Sequence, residues 1–133
     1  MYQALIRVRV GEEAVHYGGG LVDGAYVLKL YGDVATELAI MHDGDEGLFA
    51  GYESIQFLAP VFAGDFLEVR AEIVKVGNTS RKVDFEARKV ITSKEVGPFP
   101  SSADVLKDPV IVNRAIGTFV VRKEQQRKKE TDR

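Results

Sequence analysis

The 133-residue chain contains no cysteine. That removes a disulfide framework, a thiolate zinc site and a cysteine nucleophile, and it is compatible with a reducing compartment. Histidine is nearly as scarce. His16 and His42 lie far apart, so a three-histidine zinc site and an H-E-x-x-H helix are excluded. No apolar run approaches the ~18 residues of a membrane span. The first ten residues, MYQALIRVRV, alternate and carry arginines through their middle, unlike a signal peptide. Nor is there a surplus of one charge: 18 basic and 20 acidic side chains leave a formal net charge of −2. Nucleic acid as the main partner is disfavoured, because phosphate binding calls for a cationic excess. We therefore expect a cytoplasmic protein with no membrane or nucleic-acid partner and no bound metal.

What is present is an ordinary globular composition, 45% hydrophobic and 29% charged. The length predicts one domain, large enough to bury about two thirds of the surface its unfolded chain exposes. Residues 2–10 alternate, with Tyr2, Ala4, Ile6, Val8 and Val10 on one side, which predicts a half-buried strand. A glycine-rich turn, Gly18-Gly19-Gly20, follows. From about Val22 to Met41 the period becomes helical, with Val27, Leu30, Val34, Leu38 and Met41 forming an apolar stripe. The turn residues His42 to Gly47 end that helix, with His42 expected as a cap at its negative end.

Strand-like sequence follows: Leu48–Phe57, then Phe66–Val76 and Arg81–Ile91 joined by Gly77-Asn78-Thr79-Ser80 as an antiparallel hairpin. Residues 93–113 hold three prolines and little periodicity, and predict a long loop. Ala115–Val121 reads as a last strand, and residues 123–133 as a charged, frayed tail. The sum is an α+β domain over residues 1–122, with one long helix and about five strands. A single helix on a single sheet leaves edges and apolar surface uncovered, so self-association as at least a dimer is expected.

Two features carry possible chemistry. Asp33 and Glu37 are four apart on the helix and edge its apolar stripe. A carboxylate partly withdrawn from water has its pKa raised, which tunes a general acid or base toward neutrality. The bland alternative is two solvated acids beside Lys29. The second feature is the glycine turn with His16 and Tyr17, opening into Val22, Asp23 and Gly24. Helix-start N–H groups there lack internal partners and suit an oxyanion; the bland alternative is a flexible connection with Asp23 as N-cap. Ser54, Ser80, Ser101 and Ser102 lack a G-x-S-x-G context. Asp43, Asp45 and Glu46 lack EF-hand spacing and read as a surface turn.

The segments HYGGGLVDGA (16–25), GDVATEL (32–38), DGDEGLFAGYESIQFLAPVFAGDFLE (43–68), VGNTS (76–80), FEARKV (85–90) and RAIGTF (114–119) resemble, in this order and spacing, the 3-aminoacyl-CoA ammonia-lyases of the hotdog fold. The family includes the 3-aminobutyryl-CoA lyase of lysine fermentation and the beta-alanyl-CoA lyase. At 18–20 the chain carries three glycines where the beta-alanyl relatives carry TGN. The resemblance implies a long helix wrapped by a curled antiparallel sheet, an acyl-CoA thioester substrate and a site between subunits of a dimer or larger homo-oligomer. No cofactor is implied beyond the coenzyme A of the substrate. It further implies Glu37, and secondarily Asp33, as catalytic acid or base, with His16 and Tyr17 in the matching turn. Backbone N–H groups of Val22, Asp23 and Gly24 would hold the thioester oxygen. Asn78, Ser80 and Arg81, with Lys75, Lys82 and Arg88, are candidates to meet the coenzyme A phosphates, and the 93–113 loop to cover the site. A hotdog acyl-CoA thioesterase and a non-catalytic acyl-CoA-binding module are the alternatives.

Overall fold

A computed structural model describes residues 2–128. Five strands form one antiparallel sheet: β1 (Gln3–Arg9), β2 (Leu48–Phe57), β3 (Phe66–Val76), β4 (Ser80–Thr92) and β5 (Asp104–Val120), in the order β1-β3-β4-β5-β2. The only long helix among the described residues, α1 (Gly24–Asp43), lies against the concave face. Inward-facing residues alternate along β3 (Leu67, Val69, Ala71, Ile73) and β4 (Val83, Phe85, Ala87), as a strand with one wet face requires. Val27, Leu30, Val34 and Leu38 of α1 pack on them, each burial contributing roughly 1.5–3 kcal/mol.

The helix begins where Asp23, in extended conformation, accepts the Tyr26 N–H on its side chain. It ends at Gly44, whose φ of 73° closes a left-handed C-cap with its N–H on the Ile40 carbonyl. Two expectations change here. Met41 is exposed, and the stripe is continued by Tyr31, Ala35, Ala39 and His42. His42 lies inside the last turn, buried, because its ring packs edge-on against Tyr2 and its Nδ1 lies 3.0 Å from Asp43 Oδ2; Gly44 provides the cap.

The predicted 93–113 loop is shorter than expected, because β5 starts at Asp104 and its first half pairs with the end of β4. β2 pairs with β5 only from Asn113 to Val120, and the Val112 carbonyl accepts the Leu58 N–H, so residues 104–111 present one free edge. That edge tolerates Pro109 and leaves Val105 and Val110 in solvent, which is why no alternation marks the segment. Residues 123–128, expected to fray, turn back instead: the Arg127 N–H donates to the Asp43 carbonyl, and Gln126 Nε2 to the Asn78 and Val121 carbonyls. Residues 129–133 of the expected tail lie outside the described residues.

Residues 58–65 leave β2 as an irregular segment pinned from beneath. The buried Asp65 accepts the N–H groups of Phe62 and Ser93 and pairs with Lys89 at 3.1 Å, while Lys89 also donates to the Pro60 carbonyl. The glycine turn is stitched to the same segment by bonds from Val22 N–H to the Val61 carbonyl and from Ala63 N–H to the Gly20 carbonyl. Helix start and segment 58–65 are thereby held as one wall.

Candidate functional site

Between that wall and β5 lies a cavity of about 410 Å³, lined by Tyr17, Val22, Gly24, Val27, Phe57 and Asn113 among others. Its surface is largely apolar, with polar groups concentrated at the helix start. Gly24 lets the exposed Phe57 ring lie against the helix start, where a Cβ would displace that ring. The first N–H groups of α1, on Gly24 and Ala25, have no acceptor among the described residues, and the helix dipole favours negative charge beside them. The Val22 N–H, by contrast, is committed to the Val61 carbonyl and does not serve as a donor.

Three expected residues sit at this mouth. Asp23 holds the helix cap, and its Oδ2 lies 3.7 Å from His16 Nδ1. The His16 and Tyr17 rings pack edge to face at 4.7 Å and remain exposed, with Tyr17 in the cavity lining. Burial and the Glu13 carboxylate push the Tyr26 phenol up from its ordinary pKa, so it stays protonated.

Sequence reasoning missed Asn113, on the β5 side of the cavity. It is 1% exposed. The buried Tyr31 hydroxyl donates to its Oδ1 at 3.0 Å, and its Nδ2 has no hydrogen-bond partner among the described residues. The signal was available: inward residues Ala115, Gly117 and Phe119 extend by period two to position 113. Burial, with Tyr52 and Glu86 nearby, pushes the Tyr31 phenol far above its ordinary range, so it acts only as a neutral hydroxyl.

The helix carboxylates lie elsewhere. Glu37 is half-buried at the edge of the packed face, between exposed Ile40 and Met41; Asp33 is exposed and lies 3.7 Å from Lys29. Glu37 is thirteen residues beyond Gly24, about 20 Å along the axis at 1.5 Å per residue. The expected phosphate-binding residues of the 77–80 turn and its flank are as remote. Ser80 pairs with Val120 and Ala87 with Asn113, so seven strand residues, about 23 Å, separate the 77–80 turn from the cavity. Arg81 is a correction: it is 1% exposed and forked onto Asp43, with its remaining donors on the Gly77 and Ser80 carbonyls, so no phosphate reaches it. Asp43 is correspondingly buried and not part of a surface turn. Lys82 and Arg88 lie in surface pairs with Glu53 and Glu68. One protomer thus carries two separated groups: the cavity at the helix start, and Glu37 with the Asn78–Ser80 turn toward the other end.

A family model described as the thioesterase superfamily matches residues 19–94, more than half of the chain. The 3-aminobutyryl-CoA ammonia lyase of Acetoanaerobium sticklandii is 56% identical over 126 residues, which span 95% of this chain and 99% of that protein. The chain belongs to the 3-aminoacyl-CoA ammonia-lyase family. The beta-alanyl-CoA:ammonia lyase of Clostridium propionicum superposes with a TM-score of 0.91 at 38% identity, over 98% of this chain and 93% of that one. A hexameric hotdog-fold thioesterase of Campylobacter jejuni, 18% identical with a TM-score of 0.72 over 96% and 90% of the two chains, shares the fold alone. The helix wrapped by five antiparallel strands is therefore the hotdog fold that this lyase family uses. No helix of the described residues is long and apolar enough to cross a membrane.

Proposed function

We propose that this chain eliminates ammonia reversibly from 3-aminobutyryl-CoA to give crotonyl-CoA, in the cytoplasm and as a dimer or larger homo-oligomer. The observation that carries the reading is 56% identity, over 95% of the chain, to a 3-aminobutyryl-CoA ammonia lyase, in a chain whose helix start opens into an apolar cavity. The thioester acidifies the C2 proton. Gly24 and Ala25 N–H groups take the negative charge that develops on the thioester oxygen, an arrangement whose individual donors are typically worth 10²–10³ in rate. A carboxylate base removes the C2 proton, the enolate electrons form the C2–C3 double bond, and the bond from C3 to the substrate ammonium group breaks with its pair on nitrogen; the ammonia released takes the proton back from the carboxyl and leaves as ammonium, which restores the carboxylate. Coenzyme A enters as part of the substrate, and no further cofactor is invoked.

Glu37 is the base in this proposal, and the 20 Å between it and Gly24 requires that the two come from different copies. Its surroundings support that. Exposed Ile40 and Met41 beside it form an apolar surface that another copy would cover. β2 is an edge strand with exposed Leu48 and Phe57 at its two ends. Antiparallel pairing with its own copy sets the Leu48 end of one against the Phe57 end of the other, bringing opposite ends of two protomers together. Asp33, beside Glu37, would hold the departing ammonium, with His16 and Tyr17 at the cavity mouth. Asn78 and Ser80 of the far end would meet the coenzyme A tail.

The test is crotonyl-CoA with ammonium, following loss of enoyl absorbance and release of free thiol together. Enoyl loss without thiol release is expected; thiol release alone would make the chain a thioesterase, and binding without turnover a carrier. The shared site is tested by refolding together a Glu37→Gln and a Gly24→Val variant, each inactive alone. Mixed oligomers that stay inactive refute it.

A further inference from the structure

Asn113 has a property that the elimination scheme does not use. It sits in the middle of a strand whose neighbouring inward residues are apolar or glycine, and it is buried. The orientation of its amide is decided by its surroundings. The Tyr31 hydroxyl donates to Asn113 at 3.0 Å, and Oδ1 is the atom that accepts it. Nδ2 is left with two donors and no acceptor among the described residues. Buried amides are almost always paired, and an unpaired one is costly. Asn113 and Gly24 are both lining residues of one cavity, and Nδ2 itself is covered, out of contact with solvent.

We infer that the Asn113 side-chain amide donates to the thioester oxygen of the acyl-CoA, alongside the N–H groups at the start of α1. The inference rests on the reading that places the thioester at the helix start. The chemistry selects the ligand atom. Nδ2 can only donate, so it rejects the substrate ammonium and the pantetheine N–H groups, and it accepts a carbonyl or enolate oxygen. A second donor across the cavity from the backbone pair brackets that oxygen from two sides. Tyr31 is a positioning residue: its hydroxyl fixes Oδ1 and so leaves Nδ2 as the uncommitted donor, and its ring is held by packing 4.7 Å from that of Phe85.

The test uses Asn113→Leu and Asn113→Asp in the full chain. The first removes both functions; the second keeps the volume and the acceptor for Tyr31 but has no donor. Two probes are bound: butyryl-CoA carrying a ¹³C-labelled carbonyl, and butyl-CoA, the thioether without that oxygen. In the wild type the labelled carbonyl stretch moves to lower frequency on binding. In the variants much of that shift is lost, affinity falls for the thioester and not for the thioether, and kcat/KM for elimination falls about 10²-fold. Tyr31→Phe gives a smaller loss of the same kind. Variants that keep the full shift and rate, or that weaken thioester and thioether equally, overturn the Asn113 assignment alone. A wild type that binds butyryl-CoA with no shift at all overturns the placement of the thioester, and Asn113 falls with it. If the Leu variant fails to fold, the Asp variant decides.

Discussion

Replacing Arg81 with Met isolates the group that the sequence offers as a phosphate binder and the fold uses as a strut. Its Nε and Nη2 meet the two Asp43 oxygens at 3.0 and 2.9 Å, and both side chains are essentially out of solvent. At that separation and an effective dielectric near 20, the attraction is about 6 kcal/mol. Desolvating both charges consumes much of it, so the intact pair is worth far less. Truncating Arg81 removes the attraction but leaves Asp43 buried, and the expected loss is about 3–5 kcal/mol at neutral pH. The pH dependence carries a sign. Burial raises the Asp43 pKa, but hydrogen bonds from Arg81, then His42, outweigh it and hold the carboxyl below its ordinary range. A carboxyl depressed in the folded state stabilises above the unfolded value, about 4, and that contribution disappears as pH falls through the folded value. With Arg81 gone, burial pushes the carboxyl up, and Arg81→Met loses ground against wild type as pH rises from about 4 to 7. Adding Asp43→Asn recovers part of the loss. Urea unfolding from pH 4.5 to 7.5, at fixed protein concentration because the chain is expected to associate, measures the gap. A loss under ~1 kcal/mol at pH 7, or one that does not change with pH, would refute the reasoning.

Leu38 is fully buried in α1 against the sheet, and Leu38→Ala should cost about 2–5 kcal/mol in the same unfolding experiment. Lys89→Met strands Asp65 beneath the 58–65 wall; a lowered Tm accompanied by a raised KM for acyl-CoA is expected, and a raised KM alone would mean that Lys89 meets the substrate directly. Gly47 has a φ of 58°, and a Cβ there would lie 2.7 Å from the Val120 carbonyl oxygen, so Gly47→Ala should cost more stability in urea unfolding than the ~1–2 kcal/mol of the left-handed conformation alone. Gly18→Ala, which meets nothing within 4 Å, should leave Tm nearly unchanged.

The elements were legible because each advertises itself over a few residues. Tyr2 to Val10 alternates whatever lies across from it, and Val27 to Leu38 repeats at helical spacing whatever sheet it meets. The hairpin at 77–80 carries its own turn chemistry. The failures have equally local causes. Residues 104–111 form a strand with one free edge and a proline, so the alternation that marks a strand is not imposed on them. The family segments identified the fold and the lyase relationship, but their order along the chain does not say which of them meet in space.

Sequence alone therefore determined the secondary structure of most of the chain, its fold class, and the absence of cysteine, metal-motif and membrane-span chemistry. Periodicity reports which face of an element is dry, and composition reports which side chains exist. The tertiary structure alone decided where the charges and amides go. Arg81 in an alternating strand reads the same whether it faces water or a carboxylate 38 residues away, and only the packing of α1 on the sheet puts Asp43 there. The same holds for Asn113 opposite Gly24, and for the 20 Å that separates Gly24 from Glu37 on one helix. Distances between groups far apart in sequence are set by packing, and packing appears in no local pattern.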